Sequence, residues 1–161
     1  SSDLFYSEQE FDFRPYRADA QKYVELGRAC IHRDHRGGAA LELLWKGILR
    51  YAVEHGARYL IGCSSLTSQD PAHGTRVYER LAEYQVMPEL QTIPLPSFDM
   101  PLVHDTAASD EVPKLLRTYL AIGARICGRP AIDREFKTID FLTLLDLETL
   151  HPRIRARFLK N

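Results

Sequence analysis

Tyr23-Val24-Glu25-Leu26-Gly27-Arg28-Ala29-Cys30-Ile31, followed by His32-Arg33-Asp34-His35-Arg36-Gly37-Gly38-Ala39-Ala40, decides how this chain is read. Across residues 22 to 31, Val24, Leu26 and Ile31 sit among small or polar partners. That pattern suits a strand with one buried face and Gly27 as a candidate bulge. From Ala39 to about His55, Leu41, Leu44, Trp45, Ile48 and Ala52 recur at helical spacing, with Glu42, Lys46, Arg50 and Glu54 elsewhere around the wheel. Gly56 supplies the stop. Arg58-Tyr59-Leu60-Ile61-Gly62-Cys63-Ser64-Ser65 is a short apolar run ending in small residues, the signature of a central strand. Strand, helix, strand in roughly forty-five residues predicts a right-handed crossover and two parallel neighbouring strands.

Working outward, residues 1 to 20 read as a polar and aromatic approach segment with at most one turn of helix. Pro71 to Tyr84 reads as a helix with Asp70 as its cap, Pro71 at the first position, and Val77, Leu81 and Tyr84 on one face. From Gln85 to Glu111 the prolines 88, 94, 96 and 101 punctuate an irregular excursion. Segments of that length in compact domains serve as lids or substrate walls, or else are mobile. A helix resumes at Val112 or Pro113 and carries Leu115, Leu116, Tyr119, Leu120 and Ile122. A last strand covers Thr138 to Leu145, and a basic helix follows from about Leu147. The class is α/β with an at least partly parallel sheet, and there is no internal repeat.

The chain has 161 residues, enough for one domain with a real core. Cys30, Cys63 and Cys127 lie far apart, two of them in apolar strand-like runs, which disfavours a disulfide framework or a clustered zinc site and points to a reducing cytoplasm. With 21 basic against 22 acidic residues there is no dominant nucleic-acid footprint. No apolar run reaches the ~18 residues of a membrane span, and no signal-peptide pattern opens the sequence.

Two constellations carry chemistry. In the loop from Arg33 to Ala40, Gly37 and Gly38 permit close backbone approach, the helix N-terminus offers free N–H groups, and Arg33 and Arg36 add charge. This is the pattern of a phosphopantetheine or pyrophosphate cradle, and equally of an ordinary strand-to-helix turn with solvated arginines. It is not the G-x-G-x-x-G of dinucleotide folds. Glu25 and Arg28, three apart, point to opposite faces of a regular pleat, but a bulge at Gly27 would bring both toward one cleft. A carboxylate between Val24 and Leu26 suits a general base for an amine nucleophile, or a structural pair with Arg28. His32 and His35 lack partners at metal-ligand spacing, so no metal is expected there. Cys63 next to Ser64 has no G-x-S-x-G elbow and reads as a packed thiol. Asp133-Arg134-Glu135-Phe136 reads as either a pocket lining or a charged turn. Arg153, Arg155, Arg157 and Lys160 read as a solvated face or a membrane-surface contact.

Several ordered segments together resemble the GNAT-related N-acyltransferases that make long-chain N-acyl amino acids, especially ornithine N-acyltransferases. They are Phe5-Tyr6-Ser7-Glu8-Gln9-Glu10-Phe11-Asp12, Glu25-Leu26-Gly27-Arg28-Ala29-Cys30-Ile31, Leu43-Leu44-Trp45-Lys46-Gly47-Ile48, Ile61-Gly62-Cys63-Ser64-Ser65, Tyr119 to Ala124 and Pro130 to Phe141. The Glu25-Leu26-Gly27-Arg28 segment also looks like the E-x-x-R motif of acyl-homoserine lactone synthases. The resemblance implies a GNAT-like twisted mixed sheet flanked by helices, opened into a V between the two parallel strands. A phosphopantetheine arm lies in that V, and an amine attacks the thioester there.

By the same match Glu25 and Arg28 are the catalytic candidates, Glu25 promoting amine deprotonation and Arg28 binding donor or carboxylate or fixing Glu25. Ile31, Arg33, Arg36, Gly37, Gly38, Ala39, Ala40, Cys63 and Ser64 become candidates for donor binding. Ordinary GNAT acetyltransferases carry Q/R-x-x-G-x-G/A. Counted from Arg33 the glycine positions hold Arg36 and Gly38, and counted from Arg36 they hold Ala39 and Leu41. That mismatch favours acyl carrier protein over CoA as donor, with no permanently bound cofactor. The implied partners are acyl carrier protein, an amino-acid acceptor and a peripheral inner-membrane contact, in the cytoplasm and without nucleic acid. The family carries more chain ahead of the Phe5 motif. Residues 1–161 are therefore expected to be a single GNAT-like acyltransferase domain lacking the N-terminal part of the fold, the C-terminal portion of a larger domain.

Overall fold

The computed structural model describes residues 5–27, 30–35 and 38–159. Among them β1 (Tyr23–Glu25), β2 (Tyr59–Leu66), β3 (Arg125–Ile126), β4 (Ala131–Asp133) and β5 (Thr138–Asp146) form one sheet. β1 and β2 are parallel, with Glu25 beside Ile61, as the crossover pattern predicts. β5 runs antiparallel to β2, β3 and β4, so the sheet is mixed. The helices are the single turn α1 (Arg14–Arg17), then α2 (Gly38–Glu54), α3 (Pro71–Arg80), α4 (Lys114–Ala121) and α5 (Pro152–Leu159).

Local chemistry sets the ends. α2 closes in a Schellman motif: the Ala57 N–H bonds the Ala52 carbonyl at 2.8 Å and the Gly56 N–H that of Val53 at 3.1 Å. Gly56 sits at φ +66°, where a side chain is disfavoured. At α3 the Asp70 carboxylate accepts from the Ala72 N–H at 2.9 Å ahead of Pro71, a cap worth about 1 kcal/mol. α3 stops at Arg80 rather than Tyr84 because Leu81 leaves helical geometry (φ −93°, ψ 12°), and residues 82–84 tighten into a 3-10 turn.

Three expectations are corrected. The strand expected over 22 to 31 ends at Glu25. The last helix begins at Pro152, not near Leu147, because Asp146 organises a turn: its carboxylate accepts from the Glu148 N–H and its carbonyl from the Thr149 hydroxyl. Residues 85–111 are irregular, as expected, and their first part is pinned to the sheet. Val86 and Thr92 donate to the carbonyls of Ile126 and Cys127, and Met100 is fully buried. The opening segment is core rather than approach, with Phe5, Phe11, Phe13 and Tyr16 all buried.

The sheet has two unlike faces. Strand alternation places Leu60, Gly62 and Ser64 of β2, with Thr143 and Leu145 of β5, on the side covered by helices. Ile61, Cys63, Leu142 and Leu144 face the other way and pack on the aromatic residues of the opening segment. Fully burying one such large side chain stabilises the fold by about 1.5–3 kcal/mol, so anchoring by four aromatics fixes that segment firmly.

Candidate active site

The site begins where β1 and β2 part. The last rung is the Leu26 N–H to the Ile61 carbonyl at 2.8 Å. Past it, β2 runs on to Leu66 paired only with β5 among the described residues. Because the Ile61 carbonyl points toward β1, alternation aims the backbone N–H and C=O of Cys63 and Ser65 at the same side, into the gap. Gly62 makes the parting possible: a Cβ there would lie 2.2 Å from the Leu26 carbonyl oxygen. The strand thus opens at the glycine opposite Leu26 and not through a bulge at Gly27.

Glu25, the last residue of β1, lies on the face away from the helices. Its carboxylate accepts from the Tyr6 N–H at 2.5 Å, the Ser7 N–H at 2.8 Å and the Ser7 hydroxyl at 2.6 Å. The buried Ser7 hydroxyl also lies 3.4 Å from the Cys63 sulfur. Burial, reinforced by the Glu10 charge, raises the Cys63 thiol well above its ordinary range. It is a packed thiol, as the sequence suggests, and not an activated nucleophile.

On the helix-covered face a cavity of about 360 Å³ reaches the same gap. Its wall is largely apolar: Trp45 of α2, Leu115, Leu116 and Tyr119 of α4, and Leu60 and Leu145 of the sheet. Trp45 and Tyr119 meet edge-to-face at 5.6 Å. Backbone of Leu26, Gly27 and Gly62 to Ser65 forms the end of the cavity at the parting. Ser64 lines it and its hydroxyl oxygen accepts from Thr143 at 3.1 Å. An apolar volume on one face and a fixed carboxylate on the other therefore flank the parting of the strands.

The remaining expected site residues scatter. Ile31 is half-buried. Arg33 lies in an exposed 3-10 turn, 3.5 Å from Asp34. Gly38 opens α2, and Ala39 and Ala40 follow in its first turn. Arg28, Arg36 and Gly37 lie outside the described residues. At the far end of the chain Arg157 pairs with Glu42 at 2.8 Å and Arg155 donates to the Leu147 carbonyl. Lys160 lies outside the described residues. No helix among the described residues is long and apolar enough to cross a membrane.

Sequence reasoning missed Ser7 and, apart from Asp133 itself, a buried acidic trio of Glu10, Asp133 and Asp140, whose carboxylate oxygens lie within 4.8 Å of one another. Asp133 caps the charged turn that follows it, accepting from the Glu135 and Phe136 N–H groups at 2.8 Å each. Burial, and then the neighbouring Asp140 and Asp133, push the Glu10 carboxyl up to about 8. Asp140 in the middle of an apolar strand was the available signal, since acids are almost never fully buried without a partner.

Residues 1–46 match the family model of the GNAT acetyltransferase domain. The chain is 33% identical over 163 residues to the L-ornithine N(alpha)-acyltransferase of Rhodobacter capsulatus, covering 98% of this chain and 63% of that protein. It is 31% identical to that of Agrobacterium fabrum and 30% identical to that of Rhizobium meliloti, in each case over 92% of this chain and 54% of the relative. The chain thus spans between about half and two thirds of the length of these relatives. No solved structure matches the chain significantly. The resemblance drawn from the sequence is borne out by these relatives, and the mixed sheet flanked by helices agrees with the GNAT match.

Proposed function

We propose that this chain carries the acyl-transfer cleft of an N-acyltransferase that moves a long-chain acyl group from an acyl carrier protein thioester to the α-amine of an amino acid, ornithine by analogy with the relatives. The observation that carries the reading is the parting of β1 from β2 immediately after Glu25, with an apolar cavity opening into it from the opposite face. An acyl chain belongs in the apolar cavity and the thioester carbonyl in the gap. The acceptor then approaches from the Glu25 side.

In the reaction Glu25 takes a proton from the acceptor ammonium, directly or through one water, freeing the nitrogen lone pair. Nitrogen attacks the thioester carbonyl, and the Cys63 N–H at the open strand edge supports the developing oxyanion. Collapse forms the amide and breaks the C–S bond as the nitrogen gives up its second proton; one proton ends on the leaving thiolate, and the other is released from Glu25 to solvent. Ser7 and Tyr6 hold the carboxylate in place. Ile31, Arg33, Arg36, Gly37, Gly38, Ala39, Ala40, Cys63 and Ser64 remain the proposed donor-binding set, with Arg28 the second catalytic candidate beside Glu25, within one GNAT-like unit. Acyl carrier protein as donor rests on the incomplete CoA-type glycine pattern. Peripheral contact of the basic α5 with an inner membrane, in the cytoplasm, belongs to the same proposal.

The test is to incubate the full-length protein with long-chain acyl carrier protein, long-chain acyl-CoA and acetyl-CoA, each with ornithine and other amino acids. An N-acyl amino acid formed fastest from acyl carrier protein supports the reading. Preference for acetyl-CoA favours a small-molecule acetyltransferase. Binding of the carrier without any product points to a non-catalytic module.

A further inference from the structure

Three carboxylates are gathered on the face that bears Glu25. Asp140 pairs with Ser65 across the strands, on the same side of the sheet as Cys63 and Leu142. Asp133 comes from β4, the neighbour of β5. Glu10 ends the short turn whose Tyr6 and Ser7 N–H groups hold Glu25, and its own N–H bonds the Ser7 carbonyl at 3.1 Å. One turn of chain therefore links the acidic trio to the proposed base.

All three side chains are buried, Glu10 at 8%, Asp133 at 6% and Asp140 at 4% exposure. Local hydrogen bonds use part of their capacity: Asp133 Oδ1 caps the following turn, and Asp140 Oδ2 accepts from the Thr138 hydroxyl at 3.0 Å. Glu10 Oε2 and Asp140 Oδ1 are fully buried and have no protein donor. Buried carboxylate oxygens without donors are costly, and no Lys, Arg or His among the described residues pairs with any of the three. A proton shared between Glu10 and Asp140 satisfies only one of these oxygens. The other oxygen stays without a donor, one turn of chain from the Tyr6 and Ser7 N–H groups that hold Glu25.

We propose that Glu10, Asp133 and Asp140 receive the side-chain ammonium of a diamino-acid acceptor, so that these residues determine which amino acid is acylated. An ammonium has three donors on one centre and a single positive charge, matching three gathered carboxylates that share one exchangeable proton. It enters with its α-amine directed back toward Glu25. The inference rests on the acyltransferase reading and adds the origin of its acceptor specificity.

The experiment uses the full-length protein and two acceptors of equal length, L-ornithine and its uncharged counterpart L-norleucine, with Asp140→Asn and Glu10→Gln as variants. Wild type is expected to favour ornithine through KM, and each variant to shrink the ornithine-to-norleucine preference in kcat/KM by roughly 10- to 100-fold, the loss of one charge-assisted hydrogen bond. Ornithine binding by calorimetry, without donor, gives a second readout should a variant lose turnover through misfolding. Equal use of norleucine and ornithine by wild type overturns the proposal while leaving acyl transfer intact. So does a trio that binds Mg2+ or Ca2+ alone and thereby excludes ornithine. Absence of any N-acyl product, with ornithine still bound in an Asp140-dependent way, overturns the transferase reading and keeps the ammonium site.

Discussion

The two faces of the sheet are built from different chemistry and covered in different ways. One is apolar, roofed by α2, α4 and α5, and holds the cavity. The other bears Glu25, Ser7 and the acidic trio under an irregular segment anchored by four aromatic side chains. Between them lies the point where β1 leaves β2. On the proposed reading, a sheet parted at one rung keeps an apolar chain and a charged amine on separate sides until their reacting atoms meet. An ammonium on the helix-covered side would lose its hydration to hydrocarbon, and an acyl chain on the acidic side would set hydrocarbon against carboxylates.

The comparison breaks most completely at that parting. Gly62→Ala sets a methyl against the Leu26 carbonyl, a backbone atom that moves only with the strand. Chemical denaturation should show a loss of about 3 kcal/mol, the upper range for overpacking, and acyl transfer should be abolished. A smaller effect separates the acidic face. Ser7→Ala removes one of the three donors to Glu25, and kcat should fall roughly 10-fold with donor KM unchanged in steady-state kinetics. On the apolar face Leu115, 52% exposed at the cavity wall, can change without disturbing the core. Leu115→Asp should raise KM for long-chain donors about 5-fold and leave short-chain donors unaffected, a graded loss of apolar contact.

The mildest test is thermal. Glu10 holds its proton to about pH 8 in the folded protein against an ordinary value of 4.5. Its contribution to stability is therefore complete below pH 4.5 and lost as pH rises through 8. Glu10→Gln should flatten the melting-temperature profile across that window, and above pH 8 the variant should melt higher than wild type.

Patterns confined to neighbouring residues were legible in the sequence. The β1-α2-β2 crossover, the Gly56 stop, the Asp70-Pro71 cap and the long β5 all follow from periodicity and capping chemistry within a few residues. Glu25 was legible as a candidate base, and its placement at the last rung agrees with a cleft position. What escaped depends on contacts between distant segments. The opening residues mix Phe5, Phe11 and Phe13 with Glu8, Glu10 and Asp12, so no period betrays that they cover a sheet. β3 and β4 are two and three residues long and exist only because β5 offers them an edge. The trio needs the β4-β5 pairing and the opening turn together, which no local spacing encodes.

The central claim is that Glu25 takes the acceptor's proton at the parting of β1 and β2. Single-turnover acyl transfer by the full-length protein, wild type against Glu25→Gln, tests it most directly at matched thermal stability. The account predicts a rate at least about 100-fold lower for the variant, in the range for loss of a general base, with donor binding unchanged. A variant rate within a factor of about two of wild type contradicts it, because an effect that small is far below what removal of a general base costs.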